Sequence, residues 1–278
     1  MVYFLIAPAL FFVVGILGYS VVKAFLMSLR QIDMYTFGEP FVGLRNYYNL
    51  FQDAHFKESL RRSIIFVSGT IGLGTFLALA YALCLYKVKR LRRFFRGVSL
   101  VPYLISGVAA AVMWRFLFSG NAGLINFFLQ YFGLESTSWL GDPGRALLII
   151  ILANVWYITP FSTLILLSGL QSIDPEIFDA ASVDGAHGVN QLRYITLPLI
   201  APMMGVSLIW LNFASFNMFD VILPLTGGGP GRATELLAVY LYHLAFQEVN
   251  ISYASAVMMV LLLINALVSF FILRISRT

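Results

Sequence analysis

Four carboxylates and a histidine gather in one polar stretch of an otherwise apolar chain, SIDPEIFDAASVDGAHGVNQLRYITLP, residues 172–198. Asp174, Glu176, Asp179, Asp184 and His187 are residue types that can hold a divalent cation. Membrane phosphotransferases and prenyltransferases hold Mg²⁺ on several aspartates at helical spacing, as D-D-x-x-D or as D-G-x-x-A-R with later aspartates. In this chain Asp184-Gly185 runs into Ala186-His187-Gly188, and no further Asp follows in the loop. A Mg-dependent membrane transferase is therefore the lesser reading, and His187 reads as a docking or solvent-facing residue rather than a metal ligand. Gly227–Gly231 is glycine-rich but contains no Lys, so it is not a G-x-x-x-x-G-K-[ST] phosphate loop. The single cysteine, Cys84, excludes an intrachain disulfide and a cysteine-rich metal site.

A second group of polar and aromatic residues interrupts apolar runs. Asn154, Trp156 and Tyr157 precede Pro160, and Trp210, Asn212, Phe213, Phe216, Asn217 and Asp220 follow in a later run. Polar side chains are costly in hydrocarbon unless they face a bundle interior or a cavity. The spacing of three to four places Asn212, Phe213, Phe216 and Asn217 roughly on one side of a helix. Amides bond hydroxyls and rings stack on apolar CH faces, so this set suits a sugar. The alternative is that the asparagines bond helix to helix. Asp220 is expected to pair with a partner subunit or to cap the following turn. The span centres carry no other charge, which argues against a self-sufficient, ion-coupled secondary transporter.

These residues need a membrane scaffold to position them. Of 278 residues 60% are hydrophobic and 11% charged, and the mean hydropathy is +0.85. Soluble domains carry about 25% charged residues. Apolar stretches of about 20 residues recur, the length that crosses a bilayer as helix. The expected fold is all-α, one polytopic domain over 1–278. Its six spans are expected near Val2–Leu26, Ser63–Tyr86, Val98–Phe118, Ala146–Leu167, Leu199–Leu223 and Tyr253–Ile272. The N-terminus lacks a basic leader and a small-residue cleavage site, so it reads as a retained span. The segment KVKRLRRFFR (87–96) is short and densely basic, which places it in the cytoplasm. Alternation then places both termini and residues 170–198 on the same side. The net charge of +5 follows from that loop bias, not from nucleic-acid binding.

The loop at 170–198 has its own local grammar. Asp174 is placed as an N-cap with Pro175 at the first helical position and Glu176 in the first turn. A short helix over Pro175–Val183 then ends at Asp184-Gly185, where Gly suits a left-handed cap. Val189, Leu192 and Ile195 predict a second short helix, and Pro198 helps to start the fifth span. Such an elbow either folds back on its own membrane domain or receives another protein, whose close approach the small Ala180, Ala181 and Ala186 would allow.

The elbow resembles the "EAA" loop of ATP-binding-cassette importer permeases, E-A-A-x-x-x-G-x(9)-I-x-L-P. Asp179-Ala180-Ala181, Gly185, Ile195, Leu197 and Pro198 match at the family spacing, with Asp179 in place of the usual Glu. FVGLRNYYNLF (41–51) and FDVILPLTGGGPGRATELLAVYLYHLAF (219–246) resemble the sugar and glycerol-phosphate branch of that family. The resemblance implies a permease subunit of a binding-protein-dependent importer for a carbohydrate, polyol or glycerol-phosphate ester. It implies that Glu176, Asp179, Ala180, Ala181, Asp184, Gly185, Ala186 and Leu192 dock a cytosolic ATPase. It also implies a solute pathway that includes Asn154, Trp156, Tyr157, Asn212, Phe213, Phe216, Asn217 and Asp220. The chain binds no cofactor in this reading. ATP and Mg²⁺ sit on the partner ATPase dimer, and a second six-span permease subunit and an extracytoplasmic solute-binding protein complete the assembly. Its place is the cytoplasmic membrane of a bacterium or archaeon.

Overall fold

The computed structural model describes residue 8 and residues 11–32, 38–88, 90, 92–120 and 123–276. Along the chain the helices are α1 (Val13–Ser28), α2 (Arg45–Gln52), α3 (Ala54–Lys87), α4 (Arg92–Ser99), α5 (Val101–Leu104), α6 (Gly107–Leu117) and α7 (Leu124–Tyr131). They continue as α8 (Pro143–Gln171), α9 (Pro175–Val183), α10 (Val189–Leu199), α11 (Ala201–Phe216), α12 (Ile222–Thr226), α13 (Leu237–Tyr242) and α14 (Ile251–Ser276). Among the described residues there is no strand, and a lone bridge joins Arg30 to Phe41.

Three helices are long and apolar enough to cross a membrane: α3, α8 and α14. The α10–α11 pair qualifies together but bends by 75°, and α1 and α6 are shorter apolar helices. The expected spans therefore need three corrections. The third is not one helix: α5 ends at Leu104, Ile105 and Ser106 are extended, and α6 restarts at Gly107. The break takes the Ile105 carbonyl out of the helical ladder, and it accepts instead from the Tyr157 hydroxyl at 3.1 Å. The fifth span ends at Phe216, not Leu223. There the Asn217 side chain donates to the Phe213 carbonyl at 2.8 Å and competes with the next helical turn. The fifth span starts at Ala201, after a bend at Ile200, rather than at Leu199. A widened turn over Leu192–Thr196 carries the Leu197 N–H to the Leu192 carbonyl, and α10 continues to Leu199. The expected first span begins in residues 2–7, outside the described residues, and so do Lys89 and Leu91 of the basic loop.

The chain divides into two compact units, Met1–Arg61 with Leu236–Ile264, and Arg62–Glu235 with Asn265–Thr278. In the first, Asn46 donates to the Ser28 and Arg30 carbonyls at 2.8 and 2.9 Å and ties α2 to the end of α1. Asp53, between α2 and α3, accepts from the Tyr240 hydroxyl of α13 at 2.6 Å and more weakly from Tyr253 of α14 at 3.4 Å.

In the second unit α8 is the central helix. Its apolar window is 61% buried, against 33% for α3 and 28% for α14. Many large apolar side chains elsewhere face outward, among them Phe76, Leu267 and Phe271, as a lipid-facing surface requires. Around α8 the bonding is helix to helix. Asn154 donates to Thr70 and Ser215 at 3.3 and 3.2 Å, Ser162 bonds Ser207, and Asn212 donates to Asn265 at 3.2 Å.

Candidate functional site

The elbow is built from local interactions and one buried anchor. Asp174 caps α9, accepting from the Glu176 N–H at 3.0 Å, with Pro175 at the first turn. The helix ends in a Schellman turn. Ala186 N–H bonds the Ala181 carbonyl at 2.8 Å, Gly185 N–H bonds the Ser182 carbonyl at 3.2 Å, and Gly185 takes φ +80°. That pattern needs a left-handed residue at the first position past the helix.

Phe178 seats the elbow against a core of Ala78, Ala82, Leu85, Leu166, Leu170 and Ile173, with its ring 6.2 Å from that of Tyr86. Ala181 is 6% exposed. Glu176, Asp179, Ala180, Asp184 and Gly185 are exposed, while Ala186 and Leu192 are half-buried. Val183, Val189 and Tyr194 are 87%, 75% and 68% exposed. The sequence reading used Val189 only as a mark of helical spacing and singled out neither Val183 nor Tyr194.

The second site is an open cavity of about 360 Å³ in the same unit. Tyr103 reaches it from the end of α5. Tyr157 and Ile158 come from α8, Trp210 and Ala214 from α11, and Asn217, Met218 and Asp220 from the stretch after it. Aromatic rings make one wall. Tyr103 stacks on Phe161 with centroids 5.3 Å apart, and Phe161 lies 4.5 Å from Trp210. The Trp210 Nε1 atom is buried with no hydrogen-bond partner among the described residues. Leaving such a donor unpaired costs about 1–3 kcal/mol.

Asp220 reaches the cavity beside the break in the third span. A Cβ built on Gly107 would lie 2.7 Å from the Asp220 Cγ and 3.3 Å from its Cβ. The carboxylate thus lies over the bare Cα at the start of α6, where a helix favours negative charge. This contact, rather than a cap on the following turn, is where the structure puts it.

The expected pathway residues separate. Tyr157, Asn217 and Asp220 line the cavity. Asn154 and Asn212 are fully buried helix-to-helix bonds. Phe216 is buried, Phe213 is 57% exposed, and Trp156 meets Trp114 edge-on at 6.1 Å. Asn212 and Phe216 share one helix face, and Phe213 and Asn217 share the next, so the four do not act as one stripe. Tyr103 and Trp210 complete the lining, and Phe161 packs against both rings. Trp210 was visible as a mid-span aromatic, whereas Tyr103 carried no signal without knowledge of the break.

With an elbow, a broken span and a polar-aromatic cavity in a multi-pass helical chain, the class defined is a membrane permease subunit of the ATP-binding-cassette importer type. The chain belongs to the family of binding-protein-dependent transport system inner membrane components, whose model matches residues 70–278.

It is 35% identical over 249 residues to the trehalose/maltose transport system permease protein MalF of Thermococcus litoralis, covering 90% of this chain and 83% of that one. It is 33% identical over 261 residues to the sn-glycerol-3-phosphate transport system permease protein UgpA of Shigella flexneri, covering 94% and 88%. The fold is also that of a chain in the crystal structure of a bacterial ABC transporter involved in the import of the acidic polysaccharide alginate. The TM-score there is 0.84 at 23% identity, with 99% of this chain and 94% of that chain covered.

Proposed function

We propose that residues 1–278 act as one permease domain, half of the membrane passage of an ATP-driven, binding-protein-dependent carbohydrate importer. The observation that carries this reading is the aromatic cavity with an unpaired indole donor and a polar rim of Asn217 and Asp220. Its volume lies in the range of small-molecule sites. Ring faces at Tyr103 and Trp210 suit the CH faces of a pyranose, and the indole N–H, amide and carboxylate match hydroxyls. Relatives named for trehalose and maltose and for sn-glycerol 3-phosphate support the solute class.

The elbow is the coupling device in this reading. Glu176, Asp179, Ala180, Asp184 and the exposed Val183 and Val189 are presented to a cytosolic ATPase, with the basic 87–96 loop and both chain termini on the same side. ATP and Mg²⁺ belong to that ATPase dimer. ATP binding closes it, draws the elbows together, and switches the passage between inward- and outward-facing states. A second permease subunit and an extracytoplasmic binding protein complete the machine.

The test is isolation of the tagged chain from gently solubilised native membranes. The reading predicts a cytosolic ATPase and a second polytopic subunit as companions, with trehalose binding to the complex weakened at least about tenfold by Trp210→Ala. Recovery of the chain alone, or sugar binding indifferent to Trp210→Ala, would overturn it.

A further inference from the structure

The relatives leave the charge of the solute open, since one is named for a neutral disaccharide and another for a phosphate ester. The cavity bears on that question. Among the described residues that line it, Asp220 supplies the only acidic side chain and none is Lys, Arg or His. The carboxylate has no ion-pair partner among the described residues. Arg115 does not compensate it. That guanidinium donates to the Pro224 carbonyl at 3.4 Å and lines a different cavity of about 340 Å³ with Trp139 and Pro230.

Nor is Asp220 free to withdraw toward α6, because its Cβ and Cγ already lie against the Gly107 backbone. A carboxylate held there, beside rings and away from bulk water on one side, accepts strong charge-assisted hydrogen bonds from hydroxyls. It repels a second anion more strongly than it would in water.

We propose that Asp220 is a specificity determinant that admits uncharged, hydroxyl-rich solutes to this cavity and rejects anionic ones such as phosphate esters. The proposal rests on the carbohydrate reading of the cavity given above. Selection acts here through repulsion of the wrong solute as much as through attraction of the right one. Tyr103 and Trp210 offer ring faces to either class of sugar, so they do not discriminate. Asn217, next along the rim, is neutral.

The experiment uses the complete purified importer in nanodiscs at low salt, with trehalose and trehalose 6-phosphate as a pair that differs only in the phosphate. Equilibrium binding of each is read by titration calorimetry, and the quantity compared is the ratio of the two affinities. The wild type is expected to favour trehalose by at least about tenfold. Asp220→Asn should shrink that ratio by about tenfold or more.

Asp220→Ser, which also removes the charge and is smaller beside Gly107, should shrink the ratio in the same way, which covers the case in which Asp220→Asn fails to assemble. A ratio unchanged in both variants, with trehalose still bound, overturns the role of Asp220 and leaves the carbohydrate reading standing. Failure of the wild type to bind either sugar overturns that reading and this inference with it.

Discussion

Replacing Gly185 with valine puts a β-branched side chain on a backbone at φ +80°. No heavy atom lies within 4 Å of the Cβ that would be added, so the change meets no neighbour and its cost is conformational. A left-handed backbone costs an ordinary L-residue about 1–2 kcal/mol, and branching at Cβ adds to this. Taking about 2 kcal/mol, the capped elbow becomes about thirtyfold less populated relative to frayed alternatives. The two bonds that close α9, from Ala186 to Ala181 and from Gly185 to Ser182, go with it.

The assay is transport and solute-stimulated ATP hydrolysis by the reconstituted complex, alongside the amount of chain inserted. Insertion should match the wild type, coupled activity should fall by up to about thirtyfold, and Gly185→Ala at about 1 kcal/mol should lie between. Gly72→Ala is the control: a helical glycine of α3 with equally open space, expected to leave coupling alone. Wild-type transport by Gly185→Val would show that the elbow's shape does not matter to coupling.

Three further outcomes follow from particular contacts. Gly107→Ala pushes a methyl into the Asp220 carboxylate and should cost about 1–3 kcal/mol in thermal stability of the solubilised protein. Gly107→Ala with Asp220→Ala should recover most of that loss, whereas additive effects would show that the two residues do not touch. Asn154→Leu removes the bonds to Thr70 and Ser215 and should lower stability while leaving sugar affinity within about twofold. A selective loss of affinity would return Asn154 to the pathway.

Burial raises the Asp53 carboxyl, but hydrogen bonds from Tyr240 and the His55 N–H, the charge of the His55 ring and a weaker bond from Tyr253 together outweigh it and hold the group below its ordinary value of 3.8. A depressed folded value gives stability that is present above the unfolded carboxylate range and lost as pH falls through the folded value. Tyr240→Phe should therefore cost about 1 kcal/mol near neutrality and blunt the acid-induced loss seen in pH-dependent melting. An unaltered acid limb would show that this bond does not set it. The Tyr240 hydroxyl is itself raised, first by burial and then by Asp53, so its own contribution is lost only as pH rises beyond the ordinary tyrosine range.

How much of this was legible depended on the range of the interactions. The α9 cap, the Pro175 start and the Gly185 stop are set by residues within a few positions of one another, and the spacing announces them. Phe178 and Ala181 were harder to place. Phe178 packs on a core drawn from α3 and α8, and a short amphipathic helix does not say which protein covers its apolar side. The cavity was only partly legible. Tyr157, Asn217 and Asp220 stood out as polar groups in apolar runs, but those properties mark helix-to-helix bonds as well as passages, and Asn154 and Asn212 proved to be such bonds. Tyr103 reaches the wall because the third span breaks at Ile105 and Ser106. Spacings of three and four cover two adjoining helix faces, so Phe213 stands on a different face from Asn212.

The central claim is that the exposed surface of α9 docks an ATPase whose cycle drives the passage. It is tested most directly by a single-cysteine cross-link. In a Cys84→Ser background, Val183→Cys lies at the open end of α9, where the native side chain is 87% exposed. Treated with a short bis-maleimide in native membranes, it should join this chain to a cytosolic ATPase subunit, and the yield should change when ATP is trapped. A cross-link to no ATPase, from a chain that still supports transport, would contradict the account.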